Sequence, residues 1–286
     1  MAVPEMKKIE ADGIKIQLAV WEGKGKNILC IHGLTANCRC WDGLAGVLAP
    51  QHRVLALDLR GRGLSDRPSS GYSVETHTRD VRALLDNLGF NRVVLIGHSL
   101  GAFITLAFAA QNPDRVSQII LVDGGGKLSP QQTGKVLAMI KPSLDRLGQV
   151  FPSFESYLEA MRKVPFFQPW SPVLEAYFRH EVEEVEEGIR PRIQARHIEE
   201  EIANLSRIDA AQFYPKVRCP VLILRATEGI LVKDDILLPA GVAQRMVREM
   251  PGAEIFDVEG TNHYSILFQP NSGRDGAILE FLKKER

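Results

Sequence analysis

The sequence predicts an α/β fold in which a mostly parallel central sheet is flanked by helices. Short apolar runs rich in β-branched residues alternate with helical patterns along most of the chain, and strands buried on both faces of a parallel sheet have such continuous apolar runs. Between residues 127 and 205 this alternation stops, and helical patterns interrupted by prolines replace it. We therefore expect an α-helical cap of residues 127–205, inserted after the sixth strand of a core domain that comprises residues 1–126 and 206–286.

The strands are expected to begin with an antiparallel hairpin. Two alternating stretches, residues 7–11 and 14–20, flank Asp12-Gly13, a dipeptide that adopts the positive φ angles of a tight turn. Apolar runs predict the remaining strands at residues 27–31, 53–57, 92–96, 117–122, 221–224 and 254–258. Apolar residues at helical spacing predict connecting helices at residues 74–87, 100–111 and 241–250.

The composition indicates an ordinary globular protein. Of the 286 residues, 45% are hydrophobic and 24% are charged, which supplies enough apolar side chains for a large core. Lysine plus arginine and aspartate plus glutamate both number 35, so no net field would concentrate nucleic acid or an anionic membrane. The longest apolar runs, such as residues 102–110, are too short to span a membrane. We expect a cytoplasmic monomer or homodimer that binds neither nucleic acid nor membrane.

The cysteines predict neither disulfides nor a metal centre. There are four of them, Cys30, Cys38, Cys40 and Cys219, which is too few for a disulfide framework in a chain of this length. Cys38 and Cys40 lack a second cysteine pair or a histidine cluster close in the sequence, which makes them a poor zinc site. No metal and no organic cofactor is expected.

The pentapeptide Gly97-His98-Ser99-Leu100-Gly101 carries the main chemical signal. It lies between a predicted strand and a predicted helix, the context in which a nucleophilic serine is placed on a sharp turn above a sheet. The two glycines fit this turn because the strand and helix backbones approach too closely for a Cβ atom. Ser99 is therefore the candidate nucleophile, although the pentapeptide alone would be weak evidence.

A second segment could stabilise negative charge at the same sheet edge. His32-Gly33-Leu34 follows the predicted strand of residues 27–31, at the carboxyl edge where such folds bind ligands. The backbone N–H groups of Leu34 and Leu100 could together form an oxyanion hole. We expect the His32 side chain to brace this loop rather than to take part in catalysis.

Taken together, the motifs resemble those of the α/β-hydrolase superfamily, in the branch of small capped serine esterases and lactonases. The matching segments are His32-Gly33, residues 58–66 (DLRGRGLSD), residues 97–101, residues 219–224 (CPVLIL) and residues 260–263 (GTNH). The resemblance implies that His263 is the general base of Ser99. Epoxide hydrolases and haloalkane dehalogenases of this fold use an aspartate nucleophile, so Ser99 argues against both.

The acidic member of a triad remains open between two strand ends. The family commonly places it after the strand of residues 221–224, where this chain has Gly229 at the corresponding position. Some members place it one strand earlier, where Asp123 ends an apolar run and precedes three glycines. We favour Asp123, and the alternatives are Glu228, Asp234 and Asp235.

The predicted function is hydrolysis of a small apolar ester or lactone through an acyl-Ser99 intermediate, without a cofactor. The cap is rich in aromatic residues, and we expect the substrate pocket to comprise His98, Phe151, Phe154, Phe167 and Trp170. The acidic run of residues 181–187 is expected to be a solvated helix face. The alternatives are a C–C bond hydrolase or perhydrolase-like enzyme, which would use the same triad, and a noncatalytic ligand sensor on the same fold.

Overall fold

The computed structural model describes residues 3–233 and 235–284. Its strands are β1 (Glu5–Ala11), β2 (Ile14–Trp21), β3 (Asn27–Ile31), β4 (Arg53–Leu57), β5 (Val93–His98), β6 (Val116–Val122), β7 (Val182–Val185), β8 (Gly188–Pro191), β9 (Val221–Ala226) and β10 (Ala253–Val258). Its α-helices are α1 (Asp42–Leu48), α2 (Val74–Asn87), α3 (Leu100–Gln111), α4 (Pro130–Asp145), α5 (Phe154–Arg162), α6 (Pro172–Glu181), α7 (Ala195–Leu205), α8 (Ala240–Glu249), α9 (Ser265–Phe268) and α10 (Ser272–Leu282). None of the helices in these described ranges combines the length and apolar character that crossing a membrane requires.

The central sheet has eight strands in the order β1-β2-β4-β3-β5-β6-β9-β10. β2 pairs antiparallel with β1 and β4, and the pairs from β4 to β10 are parallel. The turn between β1 and β2 has Asp12 at φ 49° and Gly13 at φ 78°. The mostly parallel sheet and its opening hairpin are thereby confirmed.

Apolar clusters cover both faces of the sheet, which explains the continuous apolar runs. In β3, Ile28 and Cys30 belong to one buried cluster, whereas Leu29 and Ile31 belong to the other. Successive side chains of a strand point to opposite faces, so a central strand covered on both sides requires apolar residues at every position. Because β3, β5, β6 and β9 run parallel, their carboxyl ends lie at one edge of the sheet.

The segment between β6 and β9 is not wholly helical. It contains α4 to α7, and it also contains the antiparallel hairpin of β7 and β8. The expected solvated helix face at residues 181–187 is therefore wrong. Glu181 ends α6 with a relative exposure of only 1%, and the next four residues form β7. The hairpin turns through Gly188 at φ 138°, and Ile189 is bridged to Phe151.

Candidate active site

Ser99 occupies a strained turn between β5 and α3. Its backbone has φ 54° and ψ −116°, a conformation that L residues adopt only where the surroundings enforce it. The Ser99 N–H donates to the carbonyl oxygen of Val122 over 3.1 Å, which ties the turn to the end of β6. A Cβ on Gly97 would lie 2.2 Å from the Gly101 carbonyl oxygen, and one on Gly101 would lie 2.0 Å from that of Ile31. The structure thus requires glycine at both positions.

His263 and Asp123 are hydrogen-bonded to each other beside this turn. The distance from His263 Nδ1 to Asp123 Oδ2 is 2.8 Å, and both side chains are buried. The other carboxylate oxygen, Oδ1, accepts from the Ala226 N–H over 3.2 Å. Because a carboxylate can only accept here, the proton lies on Nδ1 and the lone pair of neutral His263 lies on Nε2. Ser99 and His263 line the same cavity.

The structure places the alternative acids away from this hydrogen bond. Glu228 is exposed. The carboxylate of Asp235 accepts from the backbone N–H groups of Ile230–Val232 and so closes its own loop. Asp234 lies outside the described residues. Among the described candidates, Asp123 is the acid that the fold brings to His263.

The loop after β3 is held in a defined orientation by His32. The Leu59 N–H donates to His32 Nε2 over 3.0 Å, so the other ring nitrogen, Nδ1, carries the proton and donates to the Gly33 carbonyl oxygen over 2.7 Å. Burial lowers the pKa of His32 to about 4, which keeps the ring neutral. In a trans peptide the N–H points opposite to the C=O, so this contact also sets the direction of the Leu34 N–H. Leu100 is the first residue of α3, where a backbone N–H has no acceptor within the helix.

The peptide between Thr35 and Ala36 in the same loop is held by a buried ion pair from the inserted segment. Arg146 Nη2 donates to the Thr35 carbonyl oxygen over 3.3 Å, and Arg146 Nε donates to Glu181 Oε1 over 3.1 Å. The Tyr157 hydroxyl donates to the other oxygen of Glu181 over 2.9 Å. Sequence reasoning missed this cluster, because nothing in the local pattern shows that an acidic residue at the end of α6 is buried.

The cavity that contains Ser99 has a volume of about 40 Å³. His98, one of the predicted pocket residues, belongs to its lining. Its Nε2 donates to the His263 carbonyl oxygen over 2.9 Å, and the two rings lie 4.4 Å apart. Burial lowers the pKa of His98 well below its ordinary value, so this ring is neutral. The lining residues are Gly33, Leu34, Thr35, Ala36, Cys40, His98, Ser99, Ile140, Tyr177, His263, Tyr264, Leu267 and Phe268.

The cap aromatics are placed differently from the expectation. Four of them pack elsewhere and are not part of this lining: Phe151, Phe154, Phe167 and Trp170. Phe167 and Trp170 both pack on Phe178, with ring centroids 5.1 Å and 5.7 Å away. Phe154 lies under the guanidinium of Arg179, and Phe151 makes an edge contact with Tyr157. These rings hold the inserted helices together, and Tyr177 and Tyr264 face the cavity instead.

One group of side chains has the composition of a metal site. Potential ligand atoms of Cys38, Asp58 and His180 lie within 4.8 Å of one another. These ligand atoms already contact one another, because His180 Nε2 donates to Asp58 Oδ2 over 2.7 Å and lies 3.5 Å from Cys38 Sγ. Burial raises the pKa of the Cys38 thiol well above its ordinary value, which disfavours the thiolate that a metal needs. A metal ion would have to displace these hydrogen bonds.

Comparisons with known proteins agree with this architecture. A family model described as alpha/beta hydrolase fold matches residues 26–270. An uncharacterized protein of Mycobacterium tuberculosis is 43% identical over 104 residues, which is 36% of this chain and only 30% of that protein. The match therefore spans less than a third of the length of that relative. The 2-(acetamidomethylene)succinate hydrolase of Mesorhizobium japonicum is 29% identical over 256 residues, covering 87% of this chain and 86% of that enzyme.

Solved structures have the same fold over almost the whole chain. A crystal structure of E-2-(acetamidomethylene)succinate hydrolase superposes with a TM-score of 0.84 at 24% identity, covering 98% of this chain and all of that one (100%). The enol-lactonase from Burkholderia xenovorans superposes with a TM-score of 0.72 at 19% identity, covering 97% of this chain and 100% of that one. Because the family model matches most of the chain, including the strands and turns that carry Ser99, Asp123 and His263, the chain belongs to the α/β-hydrolase fold family.

Proposed function

We propose that the chain is a serine hydrolase that cleaves small, neutral carboxylic esters or lactones through an acyl intermediate on Ser99. One observation carries this proposal: Ser99, on its strained turn, shares a cavity with His263, whose Nδ1 lies 2.8 Å from the buried Asp123 carboxylate. These three side chains supply a nucleophile, a general base and a carboxylate that orients the base.

The first half of the reaction forms the acyl intermediate. His263 Nε2 takes the hydroxyl proton as Ser99 Oγ bonds to the substrate carbonyl carbon. The carbonyl oxygen becomes an oxyanion that accepts from the N–H groups of Leu34 and Leu100, an interaction that typically contributes about 3–4 kcal/mol per donor to the transition state. When the intermediate collapses, the bond to the alkoxide oxygen breaks and His263 returns the proton to it.

The second half repeats the same steps with water. His263 takes a proton from a water molecule whose oxygen attacks the acyl carbon, and the Ser99 oxygen then leaves and is reprotonated. An ester thus gives an acid and a free alcohol. With a lactone, the alcohol stays tethered to the acyl group, so the product is a single hydroxy acid.

The lining of the cavity supports a neutral acyl group. None of its described residues is a lysine, arginine, aspartate or glutamate. The Mesorhizobium relative is named for a succinate, a dicarboxylate, and nothing in this lining would pair with such charges. The cavity volume of about 40 Å³ is small beside the roughly 300–1,000 Å³ of typical small-molecule sites, which favours a short acyl group.

The test is a panel of p-nitrophenyl esters with acetyl, butyryl and octanoyl groups, measured beside γ-butyrolactone and an acyl-homoserine lactone. We expect turnover of the acetyl ester or a lactone, falling with acyl length, and a loss of up to about 10⁶-fold in kcat for Ser99→Ala. Mass spectrometry should locate an organophosphonate adduct on Ser99. An unmodified Ser99 together with no turnover would support the ligand-sensor alternative. Phosphonate labelling of Ser99 without turnover of any ester or lactone would support the C–C bond hydrolase or perhydrolase-like alternative.

A further inference from the structure

A second cavity, with a volume of about 560 Å³, lies between the core and the inserted segment. Ligand sites for small molecules commonly have volumes of about 300–1,000 Å³. Two elements contribute to both cavities. In the 3₁₀ helix Cys38–Trp41, Arg39 lines the large cavity and Cys40 lines the cavity that contains Ser99. In α6, Arg179 lines the large cavity and Tyr177 lines the cavity that contains Ser99. The two cavities share these elements but no described lining residue, so the large cavity is a separate space.

The lining of this large cavity is cationic. Arg39, Arg179 and Arg192 all belong to it, and Glu175 is its single carboxylate among the described lining residues. The protein as a whole has equal numbers of basic and acidic residues, so this concentration of guanidinium groups is local. A guanidinium presents several N–H donors in a fixed plane, a geometry that matches the oxygens of carboxylates and phosphates.

Two of these arginines keep donors for a further acceptor. Arg39 directs Nε and Nη2 to Asp42, which leaves its Nη1 group without a partner among the described residues. Arg179 makes a 3.3 Å contact with Glu175, and its guanidinium lies over the Phe154 ring at 4.1 Å. The ring contact leaves the edge of the guanidinium plane free to donate.

Of the three arginines, Arg192 has the least negative charge of its own nearby. Its Nε is buried and has no hydrogen-bond partner among the described residues. Its Nη1 lies 3.5 Å from a carboxylate oxygen of Glu183, and that carboxylate also pairs with Arg67 and Arg190 at shorter distances. Burial lowers the pKa of Arg192, whereas the hydrogen bond to Asp42 raises the pKa of Arg39. An additional anion beside Arg192 would supply the negative charge that Glu183 now shares among three arginines.

We propose that this cavity is a second ligand site, which binds a small oxyanion-bearing molecule, a carboxylate or phosphate, through Arg192 and Arg179. The site is distinct from the neutral cavity of Ser99, so the proposal does not depend on which bond the enzyme hydrolyses. The ligand lies against α6 and the 3₁₀ helix Cys38–Trp41, the two elements that also form the wall of the catalytic cavity.

The experiment is calorimetric titration of the intact protein with sodium succinate and, separately, with inorganic phosphate at low ionic strength. We expect saturable one-to-one binding of at least one of the two, and the anion that binds identifies the group preferred. The double variant Arg179→Gln/Arg192→Gln should weaken that binding by at least about tenfold, the usual effect of losing a charge-assisted hydrogen bond.

Two matched variants test whether the anion binds in this cavity. Ser99→Ala should bind the anion as the parent does, because the nucleophile lies in the other cavity. Arg245→Gln removes the same charge from α8, where Arg245 pairs only with Glu249 among the described residues, and it should also bind as the parent does. Arg179→Gln alone tests the site if the double variant does not fold, since that side chain is largely exposed. The proposal is overturned if neither anion binds, if the folded variants at Arg179 bind within tenfold of the parent, or if Ser99→Ala or Arg245→Gln weakens binding equally.

Discussion

Arg62 Nε donates to the carbonyl oxygen of Leu34 over 3.1 Å, and its Nη2 lies 3.0 Å from Glu201 Oε2. Both Arg62 and Glu201 are fully buried. His77 Nε2 donates to the same oxygen of Glu201 over 2.7 Å. Burial by itself would raise the pKa of Glu201, but His77 and Arg62 lower it to about 2. An ion pair between the core and α7 thus holds the peptide next to the proposed oxyanion-hole residue, Leu34.

Replacing Arg62 by lysine is expected to lower kcat more than it raises KM. Lysine keeps the charge beside Glu201 but cannot donate to both Glu201 and Leu34 in the same plane. A loop displaced by about 1 Å can cost up to about 100-fold in rate, while the acyl group makes no direct contact with Arg62. The matched control is Arg60→Lys, which alters another buried ion pair of the same loop, the one between Arg60 and Asp80. Equal kcat values for the two folded variants would contradict a positioning role of Arg62.

Asp123→Asn is expected to reduce kcat by about 10⁴-fold while the protein melts close to the parent temperature. An asparagine in place of the carboxylate favours the wrong tautomer of His263, because it can donate to Nδ1 instead of accepting from it. Glu228→Gln should retain nearly full activity, since Glu228 is exposed and is not the acid hydrogen-bonded to His263. Steady-state hydrolysis of p-nitrophenyl acetate by the two variants checks this. A folded Asp123→Asn enzyme with normal kcat would show that Asp123 does not orient His263, and one of the acids after β9 would then be the candidate.

His32 should make the protein less stable in mild acid. Its pKa is about 4 in the folded state because burial lowers it from 6.5. Between these two values the unfolded chain binds a proton that the folded protein does not, so the free energy of unfolding falls as the pH falls from 6.5 towards 4. Above 6.5 both states are neutral, and well below 4 both are protonated, so His32 adds no further change there.

The check compares urea unfolding of the parent with that of His32→Gln, which lacks this titration. The difference in unfolding free energy between the two proteins should shrink by about 3 kcal/mol from about pH 7 to about pH 4. Because the other histidines are common to both proteins, their titrations cancel in the difference. A difference that stays constant over this range would contradict a buried, neutral His32.

The strands and the serine turn could be predicted from sequence because local patterns determine them. The predicted strand at residues 27–31 and the predicted helices at residues 74–87 and 100–111 coincide with β3, α2 and α3. A strand covered on both faces needs an unbroken apolar run, and the Gly97 and Gly101 positions have no space for a side chain. Both requirements are visible in a few consecutive residues.

The buried charges could not be predicted in this way, because each depends on a partner far along the chain. Glu181 pairs with Arg146, which directly follows α4, and Glu201 pairs with Arg62 of the loop after β4. The same holds for the acid beside His263, since sequence alone does not show which strand end comes within hydrogen-bond distance. The cluster of Arg39, Arg179 and Arg192 likewise arises only when the segment of Arg39 meets the distant segment that carries Arg179 and Arg192.

Gly124→Ala is expected to destabilise the protein and to impair catalysis together. A Cβ at this position would lie 2.7 Å from the carbonyl oxygen of Ser99 and 2.8 Å from its Cα. These are backbone atoms, so no rotamer change can relieve the contact, and either the Ser99 turn or the end of β6 that carries Asp123 must shift. Overpacking of this kind costs about 1–3 kcal/mol, and the shift should lower kcat by about tenfold or more.

The matched control is Gly276→Ala in α10, where a Cβ would meet no described atom within 4 Å. Alanine is the better helix former, so this variant should be as stable as the parent or more stable by up to about 1 kcal/mol, with unchanged kcat. Thermal melting and steady-state kinetics of both variants, made side by side, test the difference. If Gly124→Ala matched the parent in both measurements, the close approach of β6 to the Ser99 turn would not be what holds the nucleophile in its strained conformation.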